Sequence, residues 1–224
     1  MTEADIARRA FIIHDNKIPE HITAYEQGVS GYFPISPSRK PDELEAYKVG
    51  LDLQFSRMNV GDFVTADEVV RDISFQKGFF QRFYVLPHDP GQNMTLQTAN
   101  SIKNHAIHLK SMEKHEDNIK SGHEESKQQY DSYLNGSLLA VKVWQRFSDR
   151  AAHVYKRRAE YYEQRGNASR QDRAIAEFYQ SHIEDLTVEI EELEEKKKGI
   201  GILSPEEWAK LKFVKWTVEQ GKVD

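Results

Sequence analysis

The sequence predicts a mainly α-helical protein built on a long antiparallel, coiled-coil-like helical hairpin, with a loop-rich N-terminal region open to a mixed α/β reading. Three observations lead there. The charged segment from Gln171 to Lys198 places Tyr179, Ile183, Leu186, Ile190 and Leu193 at steps of four, three, four and three, the spacing that keeps one apolar seam turned toward another helix. Ahead of it a second apolar face runs through Tyr130, Leu134, Leu138, Val141, Trp144, Phe147, Ala151, Val154 and Tyr155. All of the seven prolines except Pro205 lie before residue 96. Proline removes a backbone donor and fixes φ, so helices in that first part are expected to be short. The chain divides on this texture into an N-terminal region, 1–95, and a helical domain, 96–224. The domain holds the hairpin at about 124–198 and a C-terminal helix at 204–220.

Taken in order, Thr2 to Ile13 reads as a short helix with Thr2 as N-cap and Asp5 three residues on. Glu20 to Glu26 reads as a further short helical stretch. Gly28 to Pro41, with its glycines, prolines and serines, reads as a loop. Asp42 to Tyr47 looks helical. Leu51-Asp52-Leu53-Gln54-Phe55 alternates and reads as a short strand. Thr65 and Glu68 form a capping box, with Val69, Val70 and Ile73 as the face of a helix ending near Gly78. The apolar run from Phe79 to Leu86 leans to a buried strand on its length and aromatic content, ended by Pro87.

The helical domain opens with a helix over Asn100 to Lys120. Glu124 onward forms the first hairpin arm, in which Asn135-Gly136 marks a kink or a close helix crossing. Gly166 is a natural terminator and Ser169 a natural cap for the next helix, so Arg165 to Arg170 is a tight connection between antiparallel arms. The first arm carries Arg146, Arg150, Lys156, Arg157, Arg158 and Arg165, and the second is rich in glutamate. The expected picture is an acidic arm aligned on a basic one, each exposed pair adding only about 0–1 kcal/mol. An arm of 28 residues spans about 42 Å, longer than the roughly 35 Å of a globule this size, so the hairpin is expected to project. Ser204-Pro205-Glu206-Glu207 starts the last helix, which carries Trp208 and Trp216.

The bulk numbers narrow the function. The chain has 224 residues, no cysteine and a net charge of −5. That excludes disulfides, thiolate metal sites and cysteine nucleophiles. An acidic balance argues against a protein that wraps nucleic acid. No secretory signal and no membrane-length apolar span is present, so a cytoplasmic setting is expected, or a virion if the protein is viral. The phosphate-loop, dinucleotide and serine-elbow motifs are absent from the sequence. Of the nine histidines, His105 and His108 share a helix face with Glu113, Glu116 and Asp117 nearby. No partner motif supports a metal there. His88-Asp89-Pro90-Gly91 reads as a turn, and His14-Asp15 is a lone pair with no assignable nucleophile.

The sequence therefore favours a non-catalytic structural or scaffolding protein over an enzyme, with no cofactor and no metal. Its partner is a second copy or another helical protein, and its interface residues are Tyr179, Ile183, Leu186, Ile190, Leu193, Trp208 and Trp216. A long arm with no chemical motif suits a viral or phage structural or accessory protein. One alternative is an enzyme whose histidine–acid site, drawing on His14, His88 or His105 and His108, forms only in three dimensions. The other is a nucleic-acid-associated module using the basic face from Arg146 to Arg170, through Arg146, Arg150, Arg157 and Arg158. A continuous exposed basic stripe would support the latter. Burial of those arginines against the acidic arm would exclude it.

Overall fold

Helix starts in this chain are set by local chemistry. The computed structural model describes residues 2–31, 34–85 and 123–199. Helix α1, Glu3–Asp15, begins where the Thr2 hydroxyl oxygen accepts the Asp5 N–H at 3.2 Å. Helices α2, Pro19–Ser30, and α3, Pro41–Arg57, each open on a proline, whose missing donor costs nothing in the first turn. Helix α4, Ala66–Val69, carries the full Thr65–Glu68 capping box. Helix α5, Ile73–Val85, starts where an Asp72 carboxylate oxygen accepts the Phe75 N–H at 2.9 Å. The two long helices are α6, His123–Glu163, and α7, Arg170–Gly199.

The mixed α/β expectation is corrected: no strand occurs among the described residues. Leu51 to Phe55 lies inside α3, and Phe79 to Val85 inside α5. Both were misleading for one physical reason. Leu51 to Phe55 and Phe79 to Tyr84 are buried or partly buried at every position, so the alternation or continuity of apolar residues does not report a period. The polar members are internal partners. A carboxylate oxygen of Asp52 accepts the Ala66 N–H at 2.7 Å, tying α3 to the start of α4. Gln81 accepts the Tyr133 hydroxyl, tying α5 to α6. Two further boundaries move. The helix expected from Thr65 to Gly78 is two helices, because the chain turns at Val70 before Asp72 restarts it. The loop expected from Gly28 begins only at Gly31, in the left-handed region with φ 75°. The expected helices at 100–120 and 204–220 lie outside the described residues.

One hydrophobic cluster runs from Ile6 on α1 to Leu193 on α7. At its centre Tyr47, Leu51, Phe55, Phe79 and Phe83 are shielded from solvent. Phe79 and Phe83 stack at 5.0 Å, and Trp144 stacks on Phe83 at 5.3 Å while its indole N–H donates to the Phe83 carbonyl at 2.9 Å. Burying rings of this size contributes about 1.5–3 kcal/mol each. Two helix crossings set the geometry. In α2 against α3, a Cβ added at Gly28 would lie 2.1 Å from the Tyr47 carbonyl oxygen, and one at Gly50 would lie 2.1 Å from that of Tyr25. The α5–α6 crossing repeats the pattern. Gly78 meets the Tyr133 carbonyl and Gly136 meets that of Phe75. The frame is the same in all four helices, an aromatic residue three places before glycine. Asn135-Gly136 is thus a close crossing.

Candidate interaction surface

Helices α6 and α7 run antiparallel, as their cross-contacts require. Lys197 donates to the Asn135 side chain at 2.6 Å, Lys142 pairs with Glu194 at 3.2 Å, Gln145 donates to Thr187 at 2.9 Å, and Arg158 binds Asp172. Residue numbers fall on one arm as they rise on the other. A helix of 41 residues is about 60 Å long. The arginine at 150 still touches the body through Asp62 and Phe63. Beyond it, from His153 on, α6 is exposed on every side except the seam with α7.

The connection is closed by charge-assisted bonds. Gly166, with φ 71°, ends the first arm in the left-handed region. Ser169 sits just before α7 as expected, but its hydroxyl donates to the Glu163 carboxylate rather than capping the backbone. Arg173 binds the same carboxylate with two nitrogens, and these two partners pull the Glu163 pKa down to about 2. Arg158 grips Asp172 with Nε at 2.8 Å and a second nitrogen, holding that carboxylate below its ordinary value. The fork geometry suits arginine and would not survive replacement by lysine.

The seam residues fall into place within the chain. Tyr179, Leu186 and Leu193 are buried, while Ile183 and Ile190 are partly buried. An aromatic ladder continues the seam outward: Phe147 meets Tyr179 edge-on at 6.0 Å, and Tyr155 stacks on Tyr179 at 6.2 Å. His182 stacks on Phe178 at 6.1 Å, and its Nε2 has no hydrogen-bond partner among the described residues. Burial holds this imidazole below its ordinary pKa, against the opposing pull of Asp185 and Glu189. Trp208 and Trp216 lie outside the described residues.

The expected alignment of a basic arm on an acidic one is corrected by the rotation of α6. Of Arg146, Arg150, Lys156, Arg157, Arg158 and Arg165, Arg158 alone pairs with α7 among the described residues. Arg150 turns to Asp62, and Arg165 lies over the Tyr161 ring at 3.7 Å. Arg146, Arg157 and Arg165 face solvent. With Val154 and Tyr161 they make an exposed stripe on the side of α6 away from the seam. The outer side of α7 carries the opposite sign: Glu177, Glu184, Glu191 and Glu195, with Val188 in their midst, all exposed. The sequence points to a basic face through Arg146 and Arg157 but groups Arg150 and Arg158 with them and does not single out the acidic face around Val188, because heptad spacing locates a seam and leaves open which outward residues share a patch.

Elsewhere the chemistry is sparse. His14 packs edge-on against Tyr25 at 5.2 Å, and His153 is exposed. His88, His105 and His108 lie outside the described residues. No group of three or more histidines and carboxylates could hold a metal ion among the described residues. An open polar recess of about 440 Å³ between α1, α3, the segment leading into α4, and α6 gathers Glu3, Asp52, Asp62 and Arg150. Burial raises the Asp52 carboxyl above its usual range, with the Ala66 N–H acting the other way. Asp52 is already engaged as a cap for α4, which accounts for its burial without a ligand. Among the described residues no helix is long and apolar enough to cross a membrane. Comparison with protein-family models, curated proteins and solved structures finds no match.

Proposed function

We propose that this chain is a non-catalytic assembly protein that joins a helical partner, either another copy or a different protein, through its hairpin. The reading is supported by the large apolar side chains left on the outside of that arm. Val154 and Tyr161 are 52% exposed, Val188 55%, and Phe178 41%. Single exposed apolar residues are ordinary. Here they recur along one projecting element whose own seam is already filled, which makes that element a platform for a partner. Tyr179, Ile183, Leu186, Ile190 and Leu193 act in this proposal as the spine that keeps the platform rigid. A contact between chains through them would take an exchanged arm. Trp208 and Trp216 are assigned to the same assembly as aromatic anchors.

The test is in-cell crosslinking from photoreactive residues placed singly at 154, 161 and 188, with position 20 on α2 as control. Discrete protein adducts from the hairpin positions and none from the control are expected. No adduct from any hairpin position sinks the reading.

A further inference from the structure

We propose that the outer faces of the hairpin dock on each other between copies of this chain, the Tyr161 face of α6 seating on the Val188 face of α7. This rests on the assembly reading and names its partner. The match is one of spacing as well as sign. Arg157, Tyr161 and Arg165 stand at i, i+4 and i+8, an arginine on each side of an exposed ring. Glu184, Val188 and Glu191 stand at i, i+4 and i+7, a glutamate on each side of an exposed valine. The arginines are about 12 Å apart along the axis and the glutamates about 10 Å. One register therefore sets Tyr161 on Val188 and brings each guanidinium beside a carboxylate, the pairing its fork favours. The Arg165 guanidinium lies 3.7 Å from the Tyr161 ring centroid, so ring and charge present a single surface.

The two faces lie on opposite sides of the hairpin, so they cannot meet within one chain. Joining different patches of two copies is a heterologous contact, which closes into a ring or continues as a chain. One helix-on-helix contact of about three turns falls short of the roughly 1,000 Å² of a stable interface. Each contact is accordingly weak, salt-sensitive and dependent on concentration. An exposed arginine–tyrosine stripe could also take nucleic acid. A second copy is favoured because Asp149 and Glu160 flank the stripe, the chain carries net charge −5, and the acidic face of α7 repels a polyphosphate. That same acidic face is what a second copy supplies.

Sedimentation velocity on the full chain, as a dilution series at about 0.05 M and about 0.5 M salt, tests this. Wild type is expected to associate at low salt and dissociate at high salt. R157E/R165E and E184K/E191K should each weaken self-association about tenfold or more. Combining all four changes in one chain, or mixing the two reversed proteins, should restore it. All four positions are exposed, and circular dichroism verifies that the variants keep their helices. A wild type that stays monomeric at every concentration overturns the proposal, as does association indifferent to both reversals. A monomeric wild type that binds a labelled single-stranded oligonucleotide, and loses it in R157E/R165E, makes the stripe a nucleic-acid surface instead. Hairpin crosslinks to a different protein, without self-association, sink this inference and leave the assembly reading standing.

Discussion

Two titratable side chains sit where water is scarce, and each makes the fold respond to pH. His182 has a folded-state pKa held below its ordinary value, mainly by burial. The unfolded chain therefore binds the proton more readily, and stability rises with pH across the gap. It is complete above the ordinary histidine value and declines as pH falls through that value toward the folded one. Urea midpoints of wild type should drop between about pH 7 and about pH 5, and His182→Gln should flatten that slope. Asp52 is shifted upward, again mainly by burial. For an acid this sign means the folded form favours the proton, so its contribution is largest at low pH and falls as pH rises through the folded value. Asp52→Asn keeps an acceptor for the Ala66 N–H and sheds a buried charge. At neutral pH it should be as stable as wild type or more so. Asp52→Ala orphans that N–H and should cost about 1–3 kcal/mol by denaturant unfolding.

Between elements, glycine decides how near the helices come. At the Gly28–Gly50 crossing the atoms a methyl would strike belong to backbone, the Tyr47 carbonyl and the Leu51 amide. Backbone inside a helix cannot step aside as a flexible side chain does. Gly28→Ala and Gly136→Ala should each force the pair apart and cost about 3 kcal/mol or more, read as a lowered Tm. Gly199→Ala, with nothing within 4 Å among the described residues, should leave Tm unchanged or raise it slightly. The hairpin seam obeys the same packing argument with the opposite side-chain size. Leu186 is 1% exposed and Ile190 packs on the core. Placing glutamate at both buries two charges without partners, a cost of several kcal/mol. Leu186→Glu with Ile190→Glu should strip helicity from the hairpin rather than release an intact, fully helical monomer. Circular dichroism beside size exclusion distinguishes the two.

Over the whole molecule the charge is sorted across the hairpin. The modest net value of −5 conceals an α6 face of arginine and an α7 face of glutamate on opposite sides. Such an arrangement acts over about a Debye length, close to 10 Å at 0.1 M salt. The proposed association through these faces should therefore weaken steeply as salt rises, read as a falling sedimentation coefficient. The body anchors this arm: Trp144 is locked to α5 through Phe83, Arg82 pairs with Glu189 at 3.1 Å, and Arg150 reaches Asp62. Arg82→Ala removes an α5–α7 tie and leaves Glu189, whose side chain is 22% exposed, without this partner. It should lower Tm by several degrees, since the remaining carboxylate is mostly shielded from water and the cost exceeds the roughly 1 kcal/mol of an exposed pair, without changing the helix content of the native state.

The sequence by itself determined the features whose physics is local. Thr2, the Thr65–Glu68 box and Gly166 mark helix ends because a cap or a left-handed turn needs only its neighbours along the chain. The heptad of α7 likewise announced a buried seam through Tyr179, Leu186 and Leu193. Tertiary structure decided what depends on burial from several directions at once. Leu51 to Phe55 and Phe79 to Tyr84 are buried or partly buried at every position, and a segment enclosed on all sides carries no readable period. The same is true of the arginines on α6. Their count was plain in the sequence, but their direction was set by how α6 rotates to fit Gly136 against α5 and Ala159 into the seam. That rotation turns Arg157 and Tyr161 outward, away from the glutamates of α7, and leaves a charged face exposed on the outer side of the hairpin.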